Sequence, residues 1–275
     1  MLTDFATILA DADKKGYAVP AFNVYNMETV LGAARAADKL RAPVILQFYS
    51  RLATTGLAGY LCPIVKAAAQ AVSVPVCLHL DHGSGYEAAA VAVANGATGV
   101  MLDFSERPLD ENIACTARAV TVLSALGIGT EGELGHIGKA ADGTAAEFTD
   151  PDEAARYVRE TGVTALAVQV GTAHGRYKQA PRLAVDRIAA IKSAASVPLV
   201  LHGGSGVPDD QVRAAIGAGI RKVNFGTDLC YAFLDGVFAA DRSTVAIDLF
   251  MRQPTQAVET FCAEKIRLLG ADGRI

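Results

Sequence analysis

The sequence predicts a (β/α)8 barrel, also called a TIM barrel, from three observations. Eight short apolar runs are separated by segments rich in Ala, Leu and charge at helical spacing. These runs lead into polar residues that can bind a metal or move a proton, as expected at the C-terminal face of barrel strands. The length of 275 residues suits a barrel, which needs about 250. We therefore expect a single domain over residues 1–275, with a C-terminal helical extension.

The strands and helices follow from periodicity, in chain order. The predicted strands are Tyr17–Asn23, Val44–Phe48, Val76–Leu80, Gly99–Leu102, Ile128–Glu133, Ala165–Val170, Leu199–His202 and Lys222–Phe225. The helices predicted between them are Glu28–Leu40, Leu61–Val72, Gly85–Ala94, Asn112–Leu126, Asp152–Glu160, Ala184–Ala194 and Asp209–Ala218. This alternation implies parallel strands with right-handed crossovers. Gly135–Phe148 is a predicted long loop after the fifth strand, and Thr255–Leu269 is the helix of the extension.

Composition and charge exclude several classes of function. Apolar residues make up 51% of the chain, charged residues 20%, and the net charge is −4, which favours a globular enzyme over a nucleic-acid-binding protein. No run approaches the ~18 apolar residues of a membrane span. Acids in the N-terminal stretch argue against a signal peptide, so we expect a cytoplasmic protein. Its five cysteines are then expected to be reduced thiols.

Three of the five histidines follow predicted strands in the same way. His82, His174 and His202 lie just past the third, sixth and seventh strands, and each precedes a glycine. Three imidazoles on one barrel rim, with an open coordination position, suit a catalytic Zn²⁺ or a similar divalent ion. The alternative is three separately hydrogen-bonded histidines. His79, inside the third strand, is expected to be packed or to support a ligand, and the spacing of His136 indicates no role.

Two glutamates lie on one face of the fifth predicted strand. Glu131 and Glu133 point the same way because side chains alternate along a strand. They can supply a fourth metal ligand and a partner that orients an imidazole, while a salt bridge to Lys or Arg is the alternative. No lysine is clearly placed inside the barrel for a Schiff base, so activation of a carbonyl by a metal is favoured over an imine.

Glycine-rich runs follow the last two predicted strands. Residues 202–206 read HGGSG and residues 224–228 read NFGTD, at the place where barrels often bind phosphate. Their backbone N–H groups, with the hydroxyls of Ser205 and Thr227, can form an anion site; a role in turns alone is the alternative. Together with a metal ion that stabilises an enediolate, this predicts chemistry at a phosphorylated ketone. Asp81 is the predicted base for a substrate hydroxyl.

Eight motifs cover nearly the whole chain and occur together in the order of one known family. They are GYAVPAFNVYNMET (16–29), LHLDHG (78–83), MLDFSERPLDENI (101–113), EGELGHIG (131–138), VGTAHGRYK (170–178), LHGGSG (201–206), KVNFGTD (222–228) and EKIRLLGADGRI (264–275). Through them the chain resembles the class II, zinc-dependent ketose-bisphosphate aldolases, which include fructose- and tagatose-bisphosphate aldolases.

This resemblance implies site residues, cofactors and an assembly. His82, His174, His202 and Glu133 would be the metal ligands, with Zn²⁺ or another divalent ion as the cofactor. The catalytic residues would be Asp81, as acid/base, and Asn224, which contacts the enediolate; Asp103 and Glu131 would be acids near the metal. The contacts to the substrate and its phosphate would be Asn23, Gly175, Lys178, Gly203, Ser205, Asn224, Gly226 and Thr227. The family also implies a homodimer or homotetramer and a monovalent cation, Na⁺ or K⁺, near the phosphate.

Two departures from the family pattern limit what the resemblance implies. Ala141 stands where the family has the glutamate that protonates the enediolate, which leaves Asp142 and Glu147 as candidate proton donors. Residues 47–51, QFYSR, lack the small residues that usually follow the glutamine, in a region that faces the distal half of the substrate in the family. Both departures leave the ketone-phosphate half intact, but the identity of the aldehyde stays open.

The leading prediction is a metal-dependent aldolase, a carbon–carbon lyase. It would reversibly cleave a ketose 1-phosphate or 1,6-bisphosphate, of fructose or tagatose type, to dihydroxyacetone phosphate and an aldehyde. A deoxy, sulfonated or otherwise modified ketose phosphate is the alternative substrate. Two alternative functions are a metal-dependent sugar-phosphate epimerase or isomerase, and a low-turnover sugar-phosphate-binding protein, the latter motivated by Ala141.

Overall fold

Eight parallel strands form a closed barrel in which each strand pairs with its sequence neighbours and the eighth pairs with the first. The computed structural model describes residues 1–138, 148–175, 177 and 179–275. The strands are β1 (Val19–Asn23), β2 (Val44–Tyr49), β3 (Val76–Gly83), β4 (Gly99–Leu102), β5 (Gly129–Leu134), β6 (Ala165–Val168), β7 (Leu199–Leu201) and β8 (Ile220–Phe225). The predicted (β/α)8 fold is confirmed, with strand ends shifted by a few residues.

Helices alternate with the strands and cover the outside of the barrel. They are α1 (Phe5–Lys15), α2 (Met27–Lys39), α3 (Ser50–Thr54), α4 (Ala58–Ala71), α5 (Tyr86–Ala94), α6 (Leu109–Ala125), α7 (Pro151–Thr161), α8 (Val185–Ala195), α9 (Asp209–Ala218), α10 (Thr227–Ala239), α11 (Ile247–Phe250) and α12 (Arg252–Leu268). The seven helices predicted between strands are all present. Four others, α1, α3, α10 and α11, were not predicted.

The first helix, α1, packs against the N-terminal end of the barrel. Asp4 caps it by accepting a hydrogen bond of 2.8 Å from the Thr7 backbone N–H, a stabilising arrangement at a helix start. The ring of Phe5 then lies 4.7 Å from the ring of His79 inside β3. A Cβ at Gly99 would come within 2.8 Å of the Phe5 Cβ. A glycine at position 99 therefore leaves space for the Phe5 side chain at this end of the barrel.

The predicted C-terminal helix corresponds to α12, which packs against α2 and α10 on the outside of the barrel. The helices approach closely at Gly32, where a Cβ would lie 2.8 Å from the Val258 Cβ. None of the helices within the described ranges has the length and apolar character needed to cross a membrane. Most of the predicted loop Gly135–Phe148 lies outside the described residues.

Valine, isoleucine, leucine and phenylalanine fill nearly half of the strand positions, and all of them there are buried. Several polar side chains of the strands are fully buried among them, including His79, Glu131, Glu133 and Lys222. Burying a polar group without a partner costs about 1–3 kcal/mol by mutational data. These groups therefore need partners inside the barrel, and most find them in the cluster described next.

Candidate active site

A cavity of about 1040 Å³ opens at the C-terminal ends of the strands. The predicted site residues that line it are Asn23, Asp81, His82, Asp103, His174, Gly175, Gly203, Ser205, Asn224, Gly226 and Thr227. His202, Glu131 and Glu133 are fully buried beside it. The predicted contact Lys178 and the candidate proton donors Asp142 and Glu147, like Ala141, lie outside the described residues.

The imidazoles of three predicted metal ligands converge at one point. His82 Nε2 lies 3.1 Å from His174 Nε2 and 2.9 Å from His202 Nδ1. These three side chains come from segments 92 and 120 residues apart in the chain. Convergence of three ring nitrogens is the arrangement expected of ligands to one divalent ion.

Each of the three rings is held by an acceptor at its other nitrogen. His82 Nδ1 lies 2.9 Å from Asp103 Oδ2, His174 Nδ1 lies 3.0 Å from the Ile137 carbonyl oxygen, and His202 Nε2 lies 2.8 Å from Glu131 Oε1. A carbonyl or carboxylate oxygen can only accept, so the proton of each neutral ring belongs on that outer nitrogen. The lone pairs of the inner nitrogens are then directed at the common point, as metal ligation requires.

The charges around the trio also suit a cation. Burial lowers the pKa of His82, but Asp81, Glu133 and Asp103 more than offset this and raise it to about 10. Burial and the nearby positive charge of His82 lower the pKa of His174 and of His202. The surroundings thus stabilise positive charge at His82 and favour the neutral forms of His174 and His202.

Glu133 presents one carboxylate oxygen to the same cluster. Its Oε1 accepts hydrogen bonds of 3.1 Å from the Ile137 N–H and the Ser105 hydroxyl. Its Oε2 is buried without a hydrogen-bond partner and lies 3.9 Å from His202 Nδ1. Burial, together with the charge of Asp103, raises the pKa of Glu133 to about 8. An orphaned oxygen beside three imidazoles is the group that a bound cation would satisfy.

A bulge in β3 brings two adjacent side chains into the cavity. Strict alternation would direct Asp81 and His82 to opposite faces of the strand, yet both line the cavity. The register with β4 shifts between Leu80 and Gly83, and His82 has a φ of 48°. A non-glycine residue in this left-handed region is uncommon. At Gly83 a Cβ would lie 2.5 Å from the Met101 carbonyl oxygen, so the bulge requires glycine there.

Asp81 is held by two amide side chains. Asn23 Nδ2 donates to its Oδ2 at 2.7 Å, and Asn224 Nδ2 donates to its Oδ1 at 3.1 Å. Gln47 in turn donates to Asn23 Oδ1 at 2.9 Å. Asn23, expected to contact substrate or phosphate, therefore has its amide directed at Asp81. These donors fix the carboxylate next to His82 with its oxygens at the cavity.

The prediction that no lysine lies inside the barrel is wrong. Lys222 is fully buried, and its Nζ lies 2.9 Å from Glu131 Oε2 and 2.7 Å from Asn224 Oδ1. The cause is alternation along β8, which puts Lys222 on the same face as Asn224; this signal was available in the sequence. Glu131 thus has both predicted roles, as the partner of His202 and as one half of a salt bridge. Because Lys222 is paired with a carboxylate, it is not a free amine for imine formation.

The glycine loops after β6, β7 and β8 form one wall of the cavity. Gly203 has a φ of 63°, and a Cβ there would overlap the Ala173 carbonyl, so only glycine lets these loops pack. The Gly204 N–H donates to the Asn224 carbonyl at 3.1 Å. Ser205 Oγ accepts from the Asp228 N–H at 3.1 Å. The two loops predicted to bind phosphate are therefore joined to each other and lie beside the imidazole cluster.

Comparison with known proteins identifies the family. Residues 3–274 match the family described as fructose-bisphosphate aldolase class-II. This chain belongs to that family. The predicted assignment to the class II aldolases, which are lyases, is thereby confirmed, and several of the motifs on which it rested supply residues that line the cavity.

Three relatives match this aldolase over most of their length. The YdjI protein of Escherichia coli (strain K12) is 37% identical over 279 residues, covering 100% of this chain and 99% of that protein. The 6-phospho-5-dehydro-2-deoxy-D-gluconate aldolase of Shouchella clausii (strain KSM-K16) is 36% identical, covering 97% and 94%. The sulfofructosephosphate aldolase of Alkalicoccus urumqiensis is 39% identical, covering 84% and 82%.

The fold is also shared with a solved structure. The X-ray crystal structure of the YdjI aldolase from Escherichia coli K12 superposes with a TM-score of 0.91 at 36% identity. The match covers 100% of this chain and 99% of that one. The whole barrel, with its C-terminal helix, is therefore common to both proteins.

Proposed function

We propose that this protein is a Zn²⁺-dependent aldolase that reversibly cleaves a ketose 1-phosphate or 1,6-bisphosphate. Its products would be dihydroxyacetone phosphate and an aldehyde. The observation that carries the proposal is the convergence of His82 Nε2, His174 Nε2 and His202 Nδ1, with an acceptor at each outer nitrogen. The orphaned Glu133 Oε2 adds a fourth donor atom at the same place. Nitrogen and carboxylate donors of this kind suit zinc.

The chain's own residues would divide the work of cleavage. A divalent ion bound by the three imidazoles would supply a Lewis acid that stabilises negative charge on the ketone oxygen. Asp81, held by Asn23 and Asn224 at the cavity, would take the proton of the hydroxyl whose carbon becomes the aldehyde. The N–H groups of the glycine loops, with the Ser205 and Thr227 hydroxyls, would bind the phosphate.

The names of two relatives support a modified ketose phosphate as the substrate. One is called an aldolase for a phosphorylated deoxygluconate and the other an aldolase for sulfofructosephosphate. Both names describe a phosphate ester that also carries an acidic group, a carboxylate or a sulfonate. We infer that this chain takes a phosphorylated sugar of the same broad class, in which the phosphate half is constant and the other half varies.

Removal of the metal tests the proposed function directly. After dialysis against a chelator, we expect cleavage of ketose 1-phosphates to stop and solvent deuterium no longer to exchange into dihydroxyacetone phosphate. Adding Zn²⁺ back should restore both. Dihydroxyacetone phosphate release is followed by a coupled assay and exchange by NMR. Exchange without cleavage of any ketose would favour an enolising epimerase or isomerase. Full turnover in a metal-free sample would contradict the proposal.

Lys222 gives a prediction about both stability and metal affinity. Changing Lys222→Met removes the positive charge that faces the fully buried Glu131 carboxylate. Loss of one member of a buried ion pair typically costs about 3–5 kcal/mol of unfolding free energy. The double variant Lys222→Met/Glu131→Gln removes both charges, so we expect most of that stability to return. In the double variant, His202 lacks its carboxylate partner. Its affinity for the metal should therefore be about 10–100-fold lower than that of the unchanged protein.

Two measurements separate these effects. Urea unfolding in the presence of chelator reports the free energy of unfolding, and titration with Zn²⁺ reports affinity. Glu131→Gln alone is the matched control, because it removes the carboxylate but keeps Lys222. Equal stability of Lys222→Met and the unchanged protein would contradict the importance of the buried pair.

A further inference from the structure

One wall of the cavity carries an arginine between two tyrosines. The Arg51 guanidinium carbon lies 5.3 Å from the centre of the Tyr25 ring and 5.1 Å from that of Tyr49. Tyr25 follows β1, while Tyr49 ends β2 and Arg51 begins α3. All three side chains line the same cavity as Asp81 and His82. Arg51 also hydrogen-bonds the Tyr25 side chain. Its guanidinium has five N–H donors and is exposed, so donors remain for a ligand in the cavity.

In the part of the chain that the structure describes, this arginine lacks a carboxylate partner. Among the described residues, Arg51 forms no ion pair, whereas several other arginines of the chain are paired with carboxylates. The cavity wall also contains the acidic residues Asp81, Asp103 and Glu106 and a second arginine, Arg107. An unpaired guanidinium in such a wall is a site for an anion, and its planar fork matches a carboxylate, sulfonate or phosphate.

The backbone segments that carry Tyr25 and Arg51 are held in place, and both tyrosine phenols stay protonated. The Tyr25 N–H donates to Thr29 Oγ1 at 3.0 Å, within the capping box of α2. The turn that carries Arg51 is tied to the next loop, because the Ser84 N–H donates to Ser50 Oγ at 3.1 Å. Burial raises the pKa of Tyr25 and of Tyr49, so both phenols keep their protons at neutral pH. An anion here would meet a pre-formed site.

The site is distinct from the glycine loops. Those loops follow β6, β7 and β8, whereas Arg51 and its tyrosines lie at the ends of β1 and β2. Because β1 pairs with β8, the two groups line adjoining parts of the cavity. The ring centre of Tyr49 lies 5.9 Å from that of His82, so the arginine and its tyrosines border the imidazole cluster. Arg51 and the loops thus line one cavity, so a single ligand bound there can meet both.

We propose that Arg51 binds a second anionic group of the substrate, separate from the phosphate held by the glycine loops. The substrate class is then a ketose phosphate whose aldehyde half carries a carboxylate, a sulfonate or a second phosphate. This inference rests on the proposed aldolase function and adds a specificity-determining residue to it. Arg51 acts on the choice of aldehyde and takes no part in forming the enediolate from dihydroxyacetone phosphate.

The test is aldol synthesis from dihydroxyacetone phosphate and a panel of aldehydes. Malonic semialdehyde, sulfoacetaldehyde and glyceraldehyde 3-phosphate supply the three anions, while glyceraldehyde and propanal are neutral. For the unchanged protein, we expect kcat/KM for the best anionic aldehyde to exceed that for the neutral ones by at least about 10-fold. Which anion is preferred identifies the group that Arg51 binds.

Substitution at Arg51 assigns that preference to one side chain. Arg51→Gln should lower kcat/KM for the anionic aldehydes by about 10- to 100-fold and for the neutral ones by less than about 3-fold, and Arg51→Lys should recover part of the loss. Arg107→Gln is the matched control: it also removes a cavity-wall guanidinium, one that lies over the Phe104 ring, and should leave the anionic-to-neutral ratio unchanged.

Proton exchange separates failure of this inference from failure of the aldolase proposal. Metal-dependent deuterium exchange into dihydroxyacetone phosphate should be equal in the unchanged protein and in Arg51→Gln, which also shows that the variant is folded. If exchange is intact but Arg51→Gln affects anionic and neutral aldehydes alike, or if no anionic preference exists, the role of Arg51 is refuted and the aldolase proposal stands. If the unchanged protein neither exchanges nor condenses, both proposals fail.

Discussion

Replacing His202 with alanine is expected to remove metal binding and aldol cleavage together. Its Nδ1 is one of three nitrogens that converge, and its Nε2 is held by Glu131, itself paired with Lys222. Loss of an outer partner of a metal ligand typically costs about 10–100-fold in affinity, and loss of the ligand itself should cost more. Elemental analysis of the purified variant, alongside a cleavage assay, measures both quantities.

His136→Ala is the matched control for this experiment. The His136 side chain is 48% exposed and its Nδ1 lies 3.3 Å from the Ser105 hydroxyl, away from the converging nitrogens. We expect this variant to keep one metal ion per chain. If His202→Ala retained its metal and its turnover, the proposed site would be in the wrong place, whatever the activity of the family.

Replacing Asp81 with asparagine is expected to stop cleavage while leaving the metal bound. The side chain keeps its shape next to His82 but loses its basicity, and removal of a general base usually costs at least ~10²-fold in rate. Exchange of solvent deuterium into dihydroxyacetone phosphate should fall much less, because that step does not involve the hydroxyl from which Asp81 takes a proton. Cleavage by coupled assay and exchange by NMR give the two rates.

Two outcomes would assign Asp81 a different role. Equal losses in cleavage and exchange would mean that Asp81 supports the enediolate or the metal site as a whole. Loss of metal from Asp81→Asn would indicate that its charge is needed to bind the cation. Asn23→Ala serves as a comparison, since it removes a 2.7 Å hydrogen bond to Asp81 but leaves the carboxylate; a smaller loss of cleavage is expected.

Much of the fold and of the candidate site could be predicted because barrel strands place their ends at one face. His82, His174 and His202 were assigned from their positions just past three strands, and the structure brings their nitrogens within 3.1 Å of His82 Nε2. Periodicity also located eight of the twelve helices in the described residues. It missed the short helices α3 and α11 and also α1 and α10, whose packing partners lie elsewhere in the chain.

Other features depended on contacts that periodicity does not report. Alternation along β8 places Lys222 on the same face as Asn224. Only closure of the barrel makes this face the interior and brings Glu131 to 2.9 Å from the Lys222 ammonium, where it neutralises the charge. Alternation along β3 separates Asp81 from His82, whereas a register shift against β4 brings both into the cavity. A bulge depends on the neighbouring strand, so one strand's sequence does not reveal it.

The sequence by itself therefore determined the barrel and the class of chemistry, and it singled out the three imidazoles that the fold brings together, because strand periodicity and strand ends are local properties of the chain. Only the tertiary structure decided which acceptor orients each imidazole, that Lys222 is paired inside the barrel, and that Arg51 stacks on Tyr25 and Tyr49 with no ion pair to a described residue. Those pairings join segments far apart in the chain, and their geometry exists only once the strands have closed.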